Sequence, residues 1–157
     1  MVSAELTGAT PGHSTPNQPP RAGRREVPAP RVPEVLLEQS FDEDTLYGVR
    51  SAVAAHVAAV TDDRTVDTMV LIAHELASNA VRHGGGSGRL RLWVADGALL
   101  CEVTDAGPGL DEPAYAGQTL PPPELPGGRG LWIARQMSDL RISTSPAGSV
   151  ITATLAL

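Results

Sequence analysis

The sequence contains no lysine, and all 12 of its basic residues are arginines. A P-loop NTPase needs the lysine of its phosphate-binding loop, and a eukaryotic-type protein kinase needs the lysine of one of its strands. A Schiff-base enzyme needs a reactive amine on its nucleophile. These three classes of enzyme therefore lose support.

The sequence also has a single cysteine and no long apolar run. Cys101 cannot form a disulfide within the chain, and its place in the strand-like segment ALLCEVT predicts a buried small hydrophobe rather than a nucleophile. No run approaches the roughly 18 apolar residues of a membrane span. The N-terminus lacks the apolar segment of a secretory signal. We therefore expect a cytoplasmic protein that does not associate with membranes.

The charge of the chain argues against nucleic acid as a partner. The net charge is −6, and acidic residues outnumber arginines in the part of the chain that we expect to fold. Such a domain has no general affinity for a phosphate backbone. The short basic cluster of Arg21, Arg24 and Arg25 is interpreted as part of a solvated tail, with contact to an acidic partner as the alternative.

The chain divides into a tail and one domain. Residues 1–33 are rich in Pro, Gly, Ser and Thr and show little apolar periodicity, which predicts a disordered tail. Hydrophobic residues make up 41% of the sequence, enough for residues 34–157 to form one packed domain.

Apolar periodicity and turn residues predict the elements of this domain. The expected strands are 35–41, 89–95, 99–104, 141–145 and 149–155. The expected helices are 44–60, one that is capped by Asp62 or Asp63 and runs to about His83, and 131–137. Asp96 and Gly97 form a hairpin turn signal. The Pro-rich stretch up to residue 126 is long for a connector, which favours a lid or binding loop. The sum is an α+β layer arrangement.

The segment AHELASNAVRHG places Glu75, Asn79 and His83 at four-residue intervals. Residues four apart on an α-helix lie one above the other, so a carboxylate, an amide and an imidazole share one stripe. This stripe is either a solvated helix face or the wall of a site. HELAS begins like the zinc-binding H-E-x-x-H helix, but Ser78 stands at the second ligand position, so we do not predict a zinc site.

Two glycine-rich segments favour a nucleotide site. DAGPG follows a strand, and Gly107 and Gly109 remove side chains there, so that flat ligand atoms can approach the backbone. GGRG precedes a helix whose backbone N–H groups would attract phosphate. Asn79 offers an amide oxygen suited to Mg²⁺, and Glu75 could accept a proton from an attacking hydroxyl or water. Each glycine pair alone indicates only a turn, whereas their ordered combination is more specific.

These segments resemble the GHKL superfamily of ATPases and, within it, the small bacterial anti-sigma-factor serine kinases. HELASNAVRHG is similar to the N box, DAGPG to the first glycine box, GGRGLWIARQMSD to the second, and GSVITATL to the closing box. The resemblance spans about residues 35–157. It implies a Bergerat-type two-layer sandwich, in which three helices cover one face of a mixed, mainly antiparallel sheet of about five strands.

The resemblance also implies roles for individual residues. Asp105 would accept a hydrogen bond from the adenine amine, Asn79 would hold Mg²⁺ on the phosphates, and Glu75 would be the base that activates the target hydroxyl. Ser149 stands where the family usually has threonine, and its hydroxyl would reach adenine or a bound water. The implied ATP-binding residues are Asn79, His83, Asp105, Gly107, Gly109, Gly128, Arg129, Gly130 and Ser149, with Arg129 offsetting phosphate charge.

The function implied by the resemblance is that of an ATP-dependent protein serine/threonine kinase. It would phosphorylate a small antagonist protein and regulate transcription by sequestering a sigma factor, with a homodimer as a further expectation. Two alternatives stay open. One is an ATP-dependent binding switch without kinase activity, and the other is a detached histidine-kinase ATPase domain acting on another chain. His74 imitates a phosphoacceptor histidine, but the same helix already supplies the N box.

The tail composition generates a prediction about truncation. A shortened chain that begins at Arg31 should fold and melt like the full chain, because residues 1–33 cannot bury enough apolar surface to offset their ordering entropy. Thermal melting followed by circular dichroism compares the two chains. A large drop in melting temperature would show that the tail packs on the domain.

Overall fold

The computed structural model describes residues 32–124 and 128–157. Almost the whole expected tail lies outside these residues, so its disorder stays a prediction. The sequence-based elements agree with the described ones except for small shifts at their ends. In chain order the elements are β1 (Glu34–Asp42), α1 (Leu46–Val57), α2 (Asp63–His83), β2 (Ser87–Ala95), β3 (Ala98–Asp105), α3 (Gly130–Met137), β4 (Asp139–Ser145) and β5 (Gly148–Ala156).

The five strands form one sheet with the order β1-β2-β3-β5-β4. Every pairing in this sheet is antiparallel, which corrects the expectation of a mixed sheet. Tight turns join β2 to β3 and β4 to β5, and such hairpins force antiparallel pairing. The helical crossover through α3 does connect two strands of the same direction, β3 and β4, but β5 lies between them. No parallel pair forms among the described strands for this reason.

The helices bury their apolar stripes against one face of the sheet. α1 contributes Val49, Val53 and Val57, which recur every four residues as a helix face requires. α2 lies at the centre, with Met69, Ile72, Ala73, Leu76 and Ala77 fully buried. Alternate residues of the central strands meet them from the sheet: Leu90, Leu92, Leu99, Cys101, Val103, Ile151 and Ala153. The resulting α+β sandwich is the fold class that the sequence predicts.

α2 carries the polar stripe, and its N-terminus is fixed by its own sequence. The side chain of Asp62 accepts a hydrogen bond from the backbone N–H of Thr65 at 2.8 Å, as an N-cap does. This bond lowers the pKa of the Asp62 carboxyl. Across the part of the chain that the structure covers, no helix combines the length and apolarity needed to cross a membrane.

The burial of Cys101 generates a prediction about its reactivity. The side chain is fully buried, and desolvation raises the pKa of its thiol to about 12. A thiol reagent needs the thiolate, so the native protein should react at least about a hundredfold more slowly than the protein in denaturant. A disulfide reagent monitored by absorbance measures both rates. Rapid modification of the native protein would show that the core opens at β3.

Candidate functional site

A cavity of about 310 Å³ lies between α2, α3 and the loop that joins β3 to α3. The polar stripe of α2 forms one wall, with Glu75, Asn79 and His83 all lining the cavity. Gly128, two residues before α3, and Gly130, its first residue, also line the cavity. The structure therefore brings the expected base and metal ligand together with the expected phosphate-binding glycines.

The carboxylate of Glu75 contacts the N-terminal end of α3. A Cβ atom placed on Gly130 would lie 2.6 Å from Glu75 Oε2, so a larger residue there would displace the carboxylate from its present position. Arg129 is the N-cap residue of α3, and its side chain makes no capping hydrogen bond. The first backbone N–H groups of a helix attract anions when nothing caps them. Arg129 itself is exposed and is not part of the cavity wall.

Asp105 and Ser149 form a hydrogen-bonded network beside the cavity. Asp105 Oδ1 accepts hydrogen bonds from the backbone N–H groups of Gly107 at 3.0 Å and Ser149 at 3.3 Å. The buried hydroxyl of Ser149 lies 3.1 Å from Thr144 Oγ1, which accepts a bond from the backbone N–H of Leu110 at 2.9 Å. Leu110 lines the cavity. The network therefore reaches the cavity through Leu110, while Asp105 and Ser149 themselves lie outside its wall.

The glycines of DAGPG have structural partners of their own. A Cβ atom on Gly107 would lie 2.5 Å from the backbone of Gly84, the residue that ends α2. A Cβ atom on Gly84 would in turn lie 2.5 Å from Asp105 Oδ2. Gly109 has a φ of 84° and lies against the backbone oxygen of Ser145. These glycines therefore bring Asp105 against the C-terminal end of α2, and the expected approach of a ligand to them stays a prediction.

Asp105 borders a different cavity, of about 520 Å³, near the ends of β1 and β3 and the start of β2. Thr104 and Ala106 line it together with Arg89 and Asp42. Asp105 lines this second cavity but not the first one.

Sequence reasoning missed several residues of the site. Ser78 and Arg82 lie three and seven positions beyond Glu75, so the helical period that selected Asn79 could have selected them too. Ala116 and Gly117 belong to an irregular loop that carries no periodic signal, and Thr144 enters through its pairing with Ser149. The missed cavity-lining residues are Ser78, Arg82, Leu110, Ala116, Gly117 and Leu131.

His74 lies one turn before Ser78 and does not build a metal site. Its Nε2 lies 3.4 Å from Ser78 Oγ, and its Nδ1 is buried with no hydrogen-bond partner. Within residues 32–124 and 128–157, no group of three or more His, Cys, Asp or Glu side chains could hold a metal ion. A divalent cation in the cavity would therefore need ligands such as phosphate oxygens or water in addition to the side chains of these residues.

Comparison with known proteins relates this arrangement to a family. Residues 40–155 match the family model of the histidine kinase-like ATPase domain. No curated protein sequence matches the chain at a significant level.

Solved structures share the fold. The structure of the RsbU and RsbW domains of Rv1364c from Mycobacterium tuberculosis is 22% identical with a TM-score of 0.58, and the match covers 82% of this chain and 33% of that chain. The blue-light activated histidine kinase of Erythrobacter litoralis is 20% identical with a TM-score of 0.53, covering 73% of this chain and 41% of that chain. The histidine kinase AdeS of Acinetobacter baumannii is 15% identical with a TM-score of 0.50, covering 77% and 68%.

This chain spans only 33% of the Rv1364c structure and 41% of the Erythrobacter litoralis structure, so both of those chains are much longer. At such low identity these structures show a shared fold and nothing about activity. The family model is the stronger finding, since it covers the α2 stripe, the Asp105 network and the start of α3. The chain belongs to the family of histidine kinase-like ATPase domains.

Proposed function

We propose that this protein binds ATP with Mg²⁺ in the cavity between α2 and α3 and transfers the γ-phosphate to a serine or threonine of a protein partner. One observation carries the proposal: the Glu75 carboxylate lies against Gly130, at the helix end where phosphate would bind. A negative charge at that place repels phosphate and weakens simple binding. Its presence there favours a chemical role over a purely structural one.

Glu75 suits the role of general base. As the hydroxyl oxygen of the partner bonds to the γ-phosphorus, the bond from phosphorus to the β–γ bridging oxygen breaks and ADP leaves. The hydroxyl proton passes to the Glu75 carboxylate, which general-base catalysis requires to lie within hydrogen-bond reach. The cavity places this carboxylate on the same wall as Asn79, one helical turn away.

Asn79 is the proposed ligand of Mg²⁺. Its amide oxygen is a hard donor of the kind that Mg²⁺ accepts, and phosphate oxygens and water complete an octahedral shell in many nucleotide sites. Asn79 lines the cavity and can supply one such ligand. Among the described residues no group of three or more His, Cys, Asp or Glu side chains could hold the ion, so phosphate and water would supply the remaining ligands. When bound, the metal would neutralise charge on the phosphates.

Asp105 is the proposed acceptor for the adenine amine. Its Oδ1 is fixed by two backbone N–H groups, which orients the carboxylate. A carboxylate oxygen accepts a bond from the amine of adenine and repels the carbonyl oxygen of guanine. Gly128 and Gly130 would lie at the phosphate end of the nucleotide, where Arg129 and Arg82 could offset its charge.

The partner is proposed from the resemblance to bacterial anti-sigma-factor serine kinases. A small antagonist protein would be the phosphate acceptor, and a sigma factor would be the protein that is sequestered. Two alternative functions remain open to the same experiments. The fold shared with two histidine kinases allows a detached ATPase domain that acts on histidine, and a binding switch without transfer is the other. Acid-stable phosphate on the partner supports the serine kinase, and acid-labile phosphate supports the histidine kinase.

Nucleotide selectivity tests the role of Asp105. The protein should bind Mg-ATP more tightly than Mg-GTP, and Asp105→Asn should weaken ATP binding by about 1–3 kcal/mol, because a hydrogen bond to a charged group is lost. Calorimetry with both nucleotides measures this difference. Asp96→Asn is the matched control, since Asp96 lies in the exposed turn between β2 and β3 with a φ of 51° that asparagine tolerates. Equal affinities of the wild type for ATP and GTP would remove the adenine assignment.

Paired variants separate binding from chemistry on α2. Asn79→Ala should weaken ATP binding only when Mg²⁺ is present. Glu75→Gln should preserve or raise ATP affinity, because a negative charge near the phosphates is removed. It should slow phosphate transfer by about 10²–10⁴-fold, the usual scale of general-base catalysis. Nucleotide titration and transfer of labelled phosphate to a partner captured with Mg-ATP give the two readouts.

Glu102→Gln is the control for this pair. Glu102 lies on β3 between the core residues Cys101 and Val103, so it faces away from the helices. Glu102→Gln should leave both ATP affinity and the rate of phosphate transfer unchanged. Transfer by Glu75→Gln at the wild-type rate would show that Glu75 is not the base. Binding of Mg-ATP by the wild type without transfer to any partner would favour the binding switch.

A further inference from the structure

The loop that joins β3 to α3 is tied to α3 near its middle. Arg135, in the last turn of α3, donates from Nε to the backbone oxygen of Ala116 at 2.5 Å. Its Nη1 also donates to the backbone oxygen of Leu140, in β4, at 3.4 Å. One guanidinium group therefore connects the loop, the helix and the sheet.

A second contact holds the same turn of the loop. Gly117 has a φ of 73°, and a Cβ atom on it would lie 2.6 Å from the backbone carbon of Leu131. Only glycine combines this φ with so close an approach to the helix. Two backbone bonds close the turn locally, from Tyr115 N–H to Glu112 O at 2.9 Å and from Gln118 N–H to Tyr115 O at 3.1 Å.

The contacts of Arg135 differ from those of a surface arginine. Its side chain is half-buried, and the acceptors it reaches are backbone carbonyl oxygens. Among residues 32–124 and 128–157, the ion pairs that form involve other arginines: Arg89, Arg91 and Arg141. A hydrogen bond from an ionised donor is roughly twice as strong as a neutral one. Such a bond opposes the conformational freedom of a long loop that lacks helix and strand.

The tied turn is part of the cavity wall. Ala116 and Gly117 both line the cavity, and Leu131, against which Gly117 rests, lines it as well. We propose that Arg135 is a positioning residue, which holds Ala116 and Gly117 against α3 so that this wall exists before the nucleotide arrives and slows its release. The anchoring of the loop follows from the contacts alone, whereas the effect on the nucleotide rests on the proposed function.

Limited proteolysis of the nucleotide-free full chain tests the anchor without any assumption about ligand. Tyr115 is 69% exposed and directly precedes Ala116, so chymotrypsin should report local opening of the tied turn at the bond between them. Arg135→Met should increase cleavage there about tenfold or more, the shift that corresponds to one lost charge-assisted hydrogen bond. The cleavage rate of Arg135→Lys should lie between those of the wild type and Arg135→Met, because lysine keeps the charge but has one donor nitrogen in place of the two that reach Ala116 and Leu140.

Arg141→Met is the matched control for the same chemical change. Its side chain is 84% exposed on β4, and its ion-pair contact to Asp139 is 4.0 Å long. This variant should be cleaved at the wild-type rate. Gly117→Ala should act in the same direction as Arg135→Met, because it disturbs the contact of the same turn with Leu131. If thermal melting shows that Arg135→Met does not fold, Arg135→Lys carries the test of the arginine, and cleavage of Arg135→Lys at the wild-type rate would then overturn the anchor.

The release rate of a fluorescent ATP analogue tests the effect on the nucleotide. Arg135→Met should release the analogue about tenfold faster than the wild type, at a similar association rate. The release rate of Arg135→Lys should lie between these two, and that of Arg141→Met should equal the wild-type rate. Cleavage of Arg135→Met at the wild-type rate would overturn the anchor. Faster cleavage with unchanged release would overturn its role in holding the nucleotide. A wild type that binds no ATP analogue would overturn the proposed function, and the cleavage rates would still decide the anchor.

Discussion

The close approach of α2 to glycine backbone on two sides is the constraint on which the site depends. Gly130 lets the start of α3 meet the Glu75 carboxylate, and Gly84 and Gly107 let the end of α2 meet the segment after β3. A Cβ atom on Gly107 would clash with the backbone of Gly84, and one on Gly84 or Gly130 would displace the carboxylate of Asp105 or Glu75. The polar stripe of one helix thereby becomes a cavity wall instead of a solvated face.

The charges around this cavity bear on the proposed transfer of phosphate. The N-terminal end of α3 attracts anions, and the Glu75 carboxylate already lies against it. A bound phosphate and this carboxylate would therefore compete for the same end of the helix. The chain supplies cations from arginine alone, at Arg82 beside the cavity and Arg129 at the helix cap. A divalent cation and these arginines would allow both anions to occupy the site together.

Rigidity is spread unevenly over the site. The Asp105 network is held by backbone N–H groups and by the paired hydroxyls of Thr144 and Ser149, all on strands of the sheet or directly after them. The cavity wall at Ala116 and Gly117 lies on an irregular loop, and Arg135 donates a hydrogen bond to the backbone oxygen of Ala116 there. Loops open locally more readily than the strands of a sheet, so this wall is where nucleotide entry and release would be controlled.

Local sequence determined much of this structure. The spacing of Glu75, Asn79 and His83 predicts their common face, and Asp96-Gly97 predicts the β2–β3 hairpin, because both depend on contacts a few residues apart. Tertiary structure alone decided that β5 lies between β3 and β4, which makes the sheet antiparallel throughout the described strands. It also decided that Gly107 meets Gly84 and that Arg135 reaches Ala116. These contacts join residues about 20 positions apart or more, and no period or turn signal in the sequence specifies which distant backbone a glycine or an arginine will meet.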